Sequence, residues 1–177
     1  MKGVSYLITF LFLVNSSFAQ SFNELSFKSI NGDSVRLSGF AGKKVVFVIA
    51  PLSQNDSSFS KLHDFKSRYN DSIQIIGVLS FEDGYQNADA SAIQALYANS
   101  GIILTEGMYT KKTSGAGQSA LMKWLTDKNK NGHFGMDARG IGHKFFVTGR
   151  GRLYAVMPPQ VSFTDPIIDT IAQSSTK

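Results

Sequence analysis

Cysteine is absent from all 177 residues. That absence excludes disulfides, thiolate metal ligands and every reaction that uses a thiol nucleophile or stores oxidation on sulfur. Histidine is scarce too, with only His63, His133 and His143, widely spaced and without cysteine support, so no zinc site is implied. No G-x-S-x-G turn surrounds Ser53, which removes the usual sign of a hydrolase nucleophile there. Beyond the first twenty residues no apolar run approaches the roughly 20 residues that span a bilayer. The formal charge is +5, but the cations are scattered as Lys43-Lys44, Lys111-Lys112, Lys128/Lys130 and Arg150/Arg152. Without an aromatic and arginine platform they read as solvated faces, and nucleic acid is not an expected partner.

What is present begins with a leader. Lys2, the apolar run Tyr6–Val14 and Ser17-Phe18-Ala19 match a secretory signal peptide over residues 1–19, with a retained anchor as the alternative. The expected product starts near Gln20 and is exported, periplasmic or secreted. Residues 20–177 then have the length of one domain with a real core.

Along that domain, Glu24–Lys28 and Ser34–Leu37 flank Asn31-Gly32-Asp33 and predict a hairpin. Val45–Ala50 and Ile73–Leu79 are continuous apolar runs, expected of strands covered on both faces. Between them, Phe59, Leu62, Phe65 and Tyr69 recur at helical spacing, giving a βαβ unit with parallel strands. A helix over 89–99, a short strand at Ile102–Leu104 and a helix over 118–127 follow. Phe145–Val147 and Leu153–Val156 form a second hairpin, and Asp165-Pro166 opens a last helix. The expectation is an α/β, thioredoxin-like fold with an N-terminal β-hairpin and a mixed central sheet flanked by helices. Val46, Val48, Ile49, Ile75, Ile76, Val78, Phe145 and Val147 are its expected core.

Several segments in this order resemble the glutathione peroxidases. Leu37-Ser38-x-Phe40-x-Gly42-Lys43 is similar to a redoxin entry; Leu121–Leu125 resembles the family's helix ending in Trp-Leu. Lys144-Phe-Phe-Val-x-x-x-Gly151 resembles its Lys-Phe-Leu-Val hairpin, with Met157-Pro158-Pro159 beyond. The resemblance implies an oxidative-stress peroxidase and places the family's active-site positions at Ser53 (its cysteine or selenocysteine), Glu82 (its glutamine), Gly140 (its tryptophan) and Ile141 (its asparagine). All four are altered. Serine cannot cycle through a sulfenic acid, and a carboxylate at 82 opposes an anion at 53.

The expected function is therefore a non-catalytic redoxin-fold protein that binds an unknown protein or small molecule around Ser53, Glu82 and Gly140–His143, with no cofactor. The alternatives are the family's peroxide reduction, or a serine- or metal-dependent activity in the same cleft. For the serine, His63 is a conceivable base, but Ser53, Asn55, Asp56 and Ser57 read more simply as helix caps. Asp127-Lys-Asn129-Lys-Asn131-Gly132 begins like a calcium loop, yet Ala138 stands where the bidentate glutamate belongs. His133, His143 and Asp137 are a second weak metal or anion candidate.

Overall fold

The computed structural model describes residues 21–70 and 72–174; the signal-peptide expectation for 1–19 lies outside them. Strands β1 (Ser26–Lys28) and β2 (Ser34–Arg36) form an antiparallel hairpin with Phe27 opposite Val35. Its turn is held by Ser29, whose Oγ accepts the amides of Asn31 and Asp33.

The central sheet is built on β3 (Lys44–Ile49). Helix α1 (Ser57–Arg68) then crosses back to β4 (Ile73–Ser80), which runs parallel to β3 with Val46 opposite Ile75. Helix α2 (Ala90–Leu96) leads to β5 (Ile103–Met108), parallel to β4. Helix α3 (Ala120–Thr126), the single turn α4 (Lys128–Asn131), and strands β6 (Lys144–Val147) and β7 (Leu153–Met157) follow, and α5 (Pro166–Gln173) is the last element described. The sheet order is β5-β4-β3-β6-β7, with β6 antiparallel to both β3 and β7.

Alternation along β3 explains why its sequence is apolar at every position. Val46 and Val48 face a layer made by Leu62 and Phe65 of α1, Ile93 of α2 and Ile168 of α5. Phe47 and Ile49 face the opposite layer, made by Leu121, Trp124 and Leu125 of α3 with Phe22 and Phe27 from the N-terminal segment. The strand is thus buried on both sides, as its composition demands. Each of the eight expected core residues is at most 1% exposed.

Two elements differ from expectation. The expected 89–99 helix is only Ala90–Leu96, because Asn87–Asp89 forms a 3₁₀ turn before it and Asn99 turns the chain out at φ +61°. The expected three-residue strand at 102–104 is instead the six-residue β5, extended by hydrogen bonding to β4 across a register shift.

Candidate functional site

The C-terminal ends of parallel strands are where α/β sheets assemble sites, and three loops meet there. Ala50 leaves β3 with its amide on the Val78 carbonyl. On the other flank of β3, Ile49 exchanges hydrogen bonds with Gly142 and His143: its carbonyl accepts the Gly142 amide and its amide donates to the His143 carbonyl. The loops carrying Ser53, Glu82 and Gly140–Ile141 are thereby held side by side. A Cβ on Gly140 would lie 3.5 Å from Asp83 Oδ1, and one on Gly84 would lie 3.9 Å from Leu52.

The side chains themselves do not converge on one point. Ser53 is exposed, and its Oγ accepts the Asn55 amide at 3.1 Å. The helix cap is Asp56, which accepts both the amide and the hydroxyl of Ser58 at 2.8 and 2.6 Å. No hydrogen bond joins Ser53 to a histidine. His63 stacks instead between Phe59 and Tyr97, with a buried and unpartnered Nε2. Ile141 turns towards the α3-side core, and Gly140 has no side chain to offer.

Glu82 is turned to a different task. Its Oε1 accepts the Lys111 amide and the Ser114 hydroxyl at 3.0 and 2.6 Å, and both carboxylate oxygens accept the Thr110 amide. The Thr110 and Ser80 hydroxyls lie 3.2 Å from Oε2. Burial alone would raise its pKa; the Ser114 hydroxyl and the Lys111 and Thr110 amides outweigh it and hold the carboxyl at about 2. Asp83 completes the network, taking Ser80 Oγ at 2.6 Å and pairing with Lys111 at 3.3 Å. The carboxylate at 82 thus anchors the turn after β5, rather than lining an open cleft towards residue 53.

The metal candidates are similarly occupied. Asp127 caps α4 through the Asn129 amide. Asn131 is buried, donating to the Trp124 and Phe134 carbonyls and accepting from the His133 and Phe134 amides. His133 accepts from Arg152, and Asp137 accepts the Lys112 and Ala138 amides. Among the described residues no group of three histidine or carboxylate side chains is placed to hold a metal ion.

For two residues already named from the sequence, His143 and Lys144, the structure adds full burial, which the sequence did not suggest. His143 is fully buried, with Nδ1 accepting the Arg139 amide, a Phe145 ring at 4.8 Å and no partner for Nε2. Burial, then the charges of Lys144 and Arg139, push its pKa down to about 4 against the pull of Asp137. Lys144 is 1% exposed and donates to the Gly142 and Val161 carbonyls, both at 2.6 Å. The one available signal was a lysine and a histidine heading an otherwise wholly apolar strand.

Solved structures share this fold. The apo structure of Trgpx is similar with a TM-score of 0.62 at 20% identity, over 88% of this chain and 98% of that one. GPX1 of T. cruzi gives 0.61 at 12%, over 85% and 94%. The exposed lipoprotein thioredoxin Etrx1 of Streptococcus pneumoniae gives 0.56 at 17%, over 85% and 98%. The fold is thioredoxin-like. At these identities the likeness is one of architecture, and no protein-family model or curated protein matches the sequence. The loop between β3 and α1 holds Ser53, and the chain holds no cysteine. No helix among the described residues is long and apolar enough to cross a membrane.

Proposed function

We propose that this is an exported, non-catalytic member of the glutathione-peroxidase-like redoxins, which acts by binding rather than by turning over peroxide. The observation that carries the reading is Ser53: the residue in the β3–α1 loop is an exposed serine with no base bonded to it. A serine hydroxyl has no counterpart to the thiolate–sulfenate cycle, and no other cysteine exists to take over. The motifs around Lys144-Phe-Phe-Val and Leu121–Leu125 support the descent. Loss of the family's residues at 53, 82, 140 and 141 supports the loss of activity. A binding surface at the C-terminal end of the sheet is what such a scaffold retains.

The test is hydrogen peroxide reduction with a thiol donor, comparing wild type with Ser53→Cys. Wild type is expected to give no turnover. Ser53→Cys is expected to give slight turnover, because a thiol near the start of α1 gains some thiolate character while Gly140 and Ile141 provide no side-chain hydrogen bonds to it. Turnover by the wild type overturns the reading. Export is checked separately by mass spectrometry of the protein made in its native host, where an N-terminus near Gln20 is expected and a product retaining Met1–Ala19 contradicts it.

A further inference from the structure

A cavity of about 210 Å³ opens beside the candidate site, between the start of α1 and the loop after β7. Ser57, Ser58 and Lys61 of α1 form one wall; Gly142, Lys144 and Phe163 lie opposite. The Lys144 ammonium is the unusual member. It is buried among neutral groups only, two carbonyl oxygens and the face of Phe163, whose centroid lies 4.6 Å from Nζ. An ammonium has three N–H donors, and protein acceptors take two.

No carboxylate pairs with Lys144 among the described residues, and its pKa is lowered to about 8 by burial alone. Isolated buried charges are costly unless compensated. The Lys61 ammonium, on the facing wall, makes no hydrogen bond or ion pair with any described residue, nor does the Ser57 hydroxyl, and the Ser57 amide, at the first position of the 12-residue helix α1, has no intrahelical acceptor. Of the acids on either side of Lys61 in sequence, Asp56 is already committed to Ser58 and Asp64 forms no ion pair with it.

We infer that this cavity binds a small organic monocarboxylate, its carboxylate between the Lys144 and Lys61 ammonium groups and the Ser57 amide, its short apolar body against Phe163 and Pro159. The size of the cavity suits a ligand of a few heavy atoms. The inference rests on the binding reading of the proposed function, naming a ligand class for a cavity that borders the same loop at Gly142.

The experiment is titration of the purified protein with acetate and with propanoate at pH 7 and constant ionic strength. Calorimetry measures affinity, and amide chemical shifts report location. Saturable binding is expected in the millimolar range or tighter, with propanoate stronger than acetate and the Ser57, Ser58 and Gly142 amides shifting. Lys144→Met is expected to weaken it at least tenfold and Lys61→Met several-fold, while the exposed Lys112→Met leaves it unchanged. Equal binding by Lys144→Met, shifts confined to other parts of the surface, no saturable binding, or tighter binding of sulfate than of either carboxylate would each overturn the inference. Should Lys144→Met fail to fold, the shift map and the Lys61→Met affinity decide it. A negative result here leaves the peroxide assay untouched, and peroxide turnover leaves the titration untouched.

Discussion

Glu82, in the turn just after β4, and Lys144, at the head of β6, sit on the two flanks of β3, carry opposite charges, and are treated in opposite ways by the fold. Glu82 is surrounded by donors: two backbone amides and three hydroxyls lie within hydrogen-bond distance, and its charge is the favoured form down to about pH 2. Lys144 is buried more deeply and given two carbonyls and a ring, so its charge is held at a cost. The difference teaches what each group is for. A fully compensated charge is a structural fastening; an uncompensated one next to a cavity is a recognition element kept in spite of stability.

The largest expected effect on this contrast is from Glu82→Ala. It strands the Thr110 and Lys111 amides and the Ser114 hydroxyl, and should cost about 2–4 kcal/mol at pH 7. Urea unfolding should show a lower midpoint with an unchanged slope; Glu82→Gln, which keeps one acceptor, should lose roughly half as much. A loss under about 1 kcal/mol would mean the turn is held by something else. The same contact gives a pH signature. Because the folded pKa lies below the ordinary value of 4.5, its contribution is complete above that pH and lost as pH falls towards about 2.

Next in size is His143. Its folded pKa, about 4, is below the ordinary 6.5, so the unfolded chain takes up a proton first and stability falls between those values on acidification. The loss should be on the order of 1–3 kcal/mol, and His143→Phe should flatten unfolding midpoints measured from pH 7.5 to 4.5. Lys144→Met should sharpen the comparison with Glu82: removing the uncompensated charge should change stability by no more than about 1 kcal/mol at pH 7. Wild type should gain stability as pH rises from about 8 to 10.5, where the unfolded chain still holds the Lys144 proton, and the variant should not. The smallest effect belongs to Ser53→Ala, under about 0.5 kcal/mol, against about 1 kcal/mol for Asp56→Ala at the helix cap.

The fold was readable from the chain because its signals are local. Val45–Ala50 and Ile73–Leu79 show burial on both faces, and Phe59, Leu62 and Phe65 give the crossover helix. The Asn31-Gly32-Asp33 turn and Asp165-Pro166 mark their elements by turn and cap chemistry. Ser53 was readable as the loop residue for the same reason. The role of Glu82 was not, because its partners lie 28–32 residues further on and depend on how β5 returns beside β4. The burial of Lys144 and His143 was not readable because lysine and histidine near a strand end normally reach solvent, and only the packing of Phe163 and Phe145 shows that these do not.

Gly140 and Gly142 bear on which side chains this loop can accept. Their φ values, +110° and +83°, belong to conformations that side-chain-bearing residues adopt at a cost of about 1–3 kcal/mol. A tryptophan placed at 140 would carry that strain. Single substitutions therefore meet resistance at this loop before any catalytic gain can offset it. On the proposed reading, a return to the family's active site would begin at this loop with remodelling the main chain, before any exchange of side chains could count.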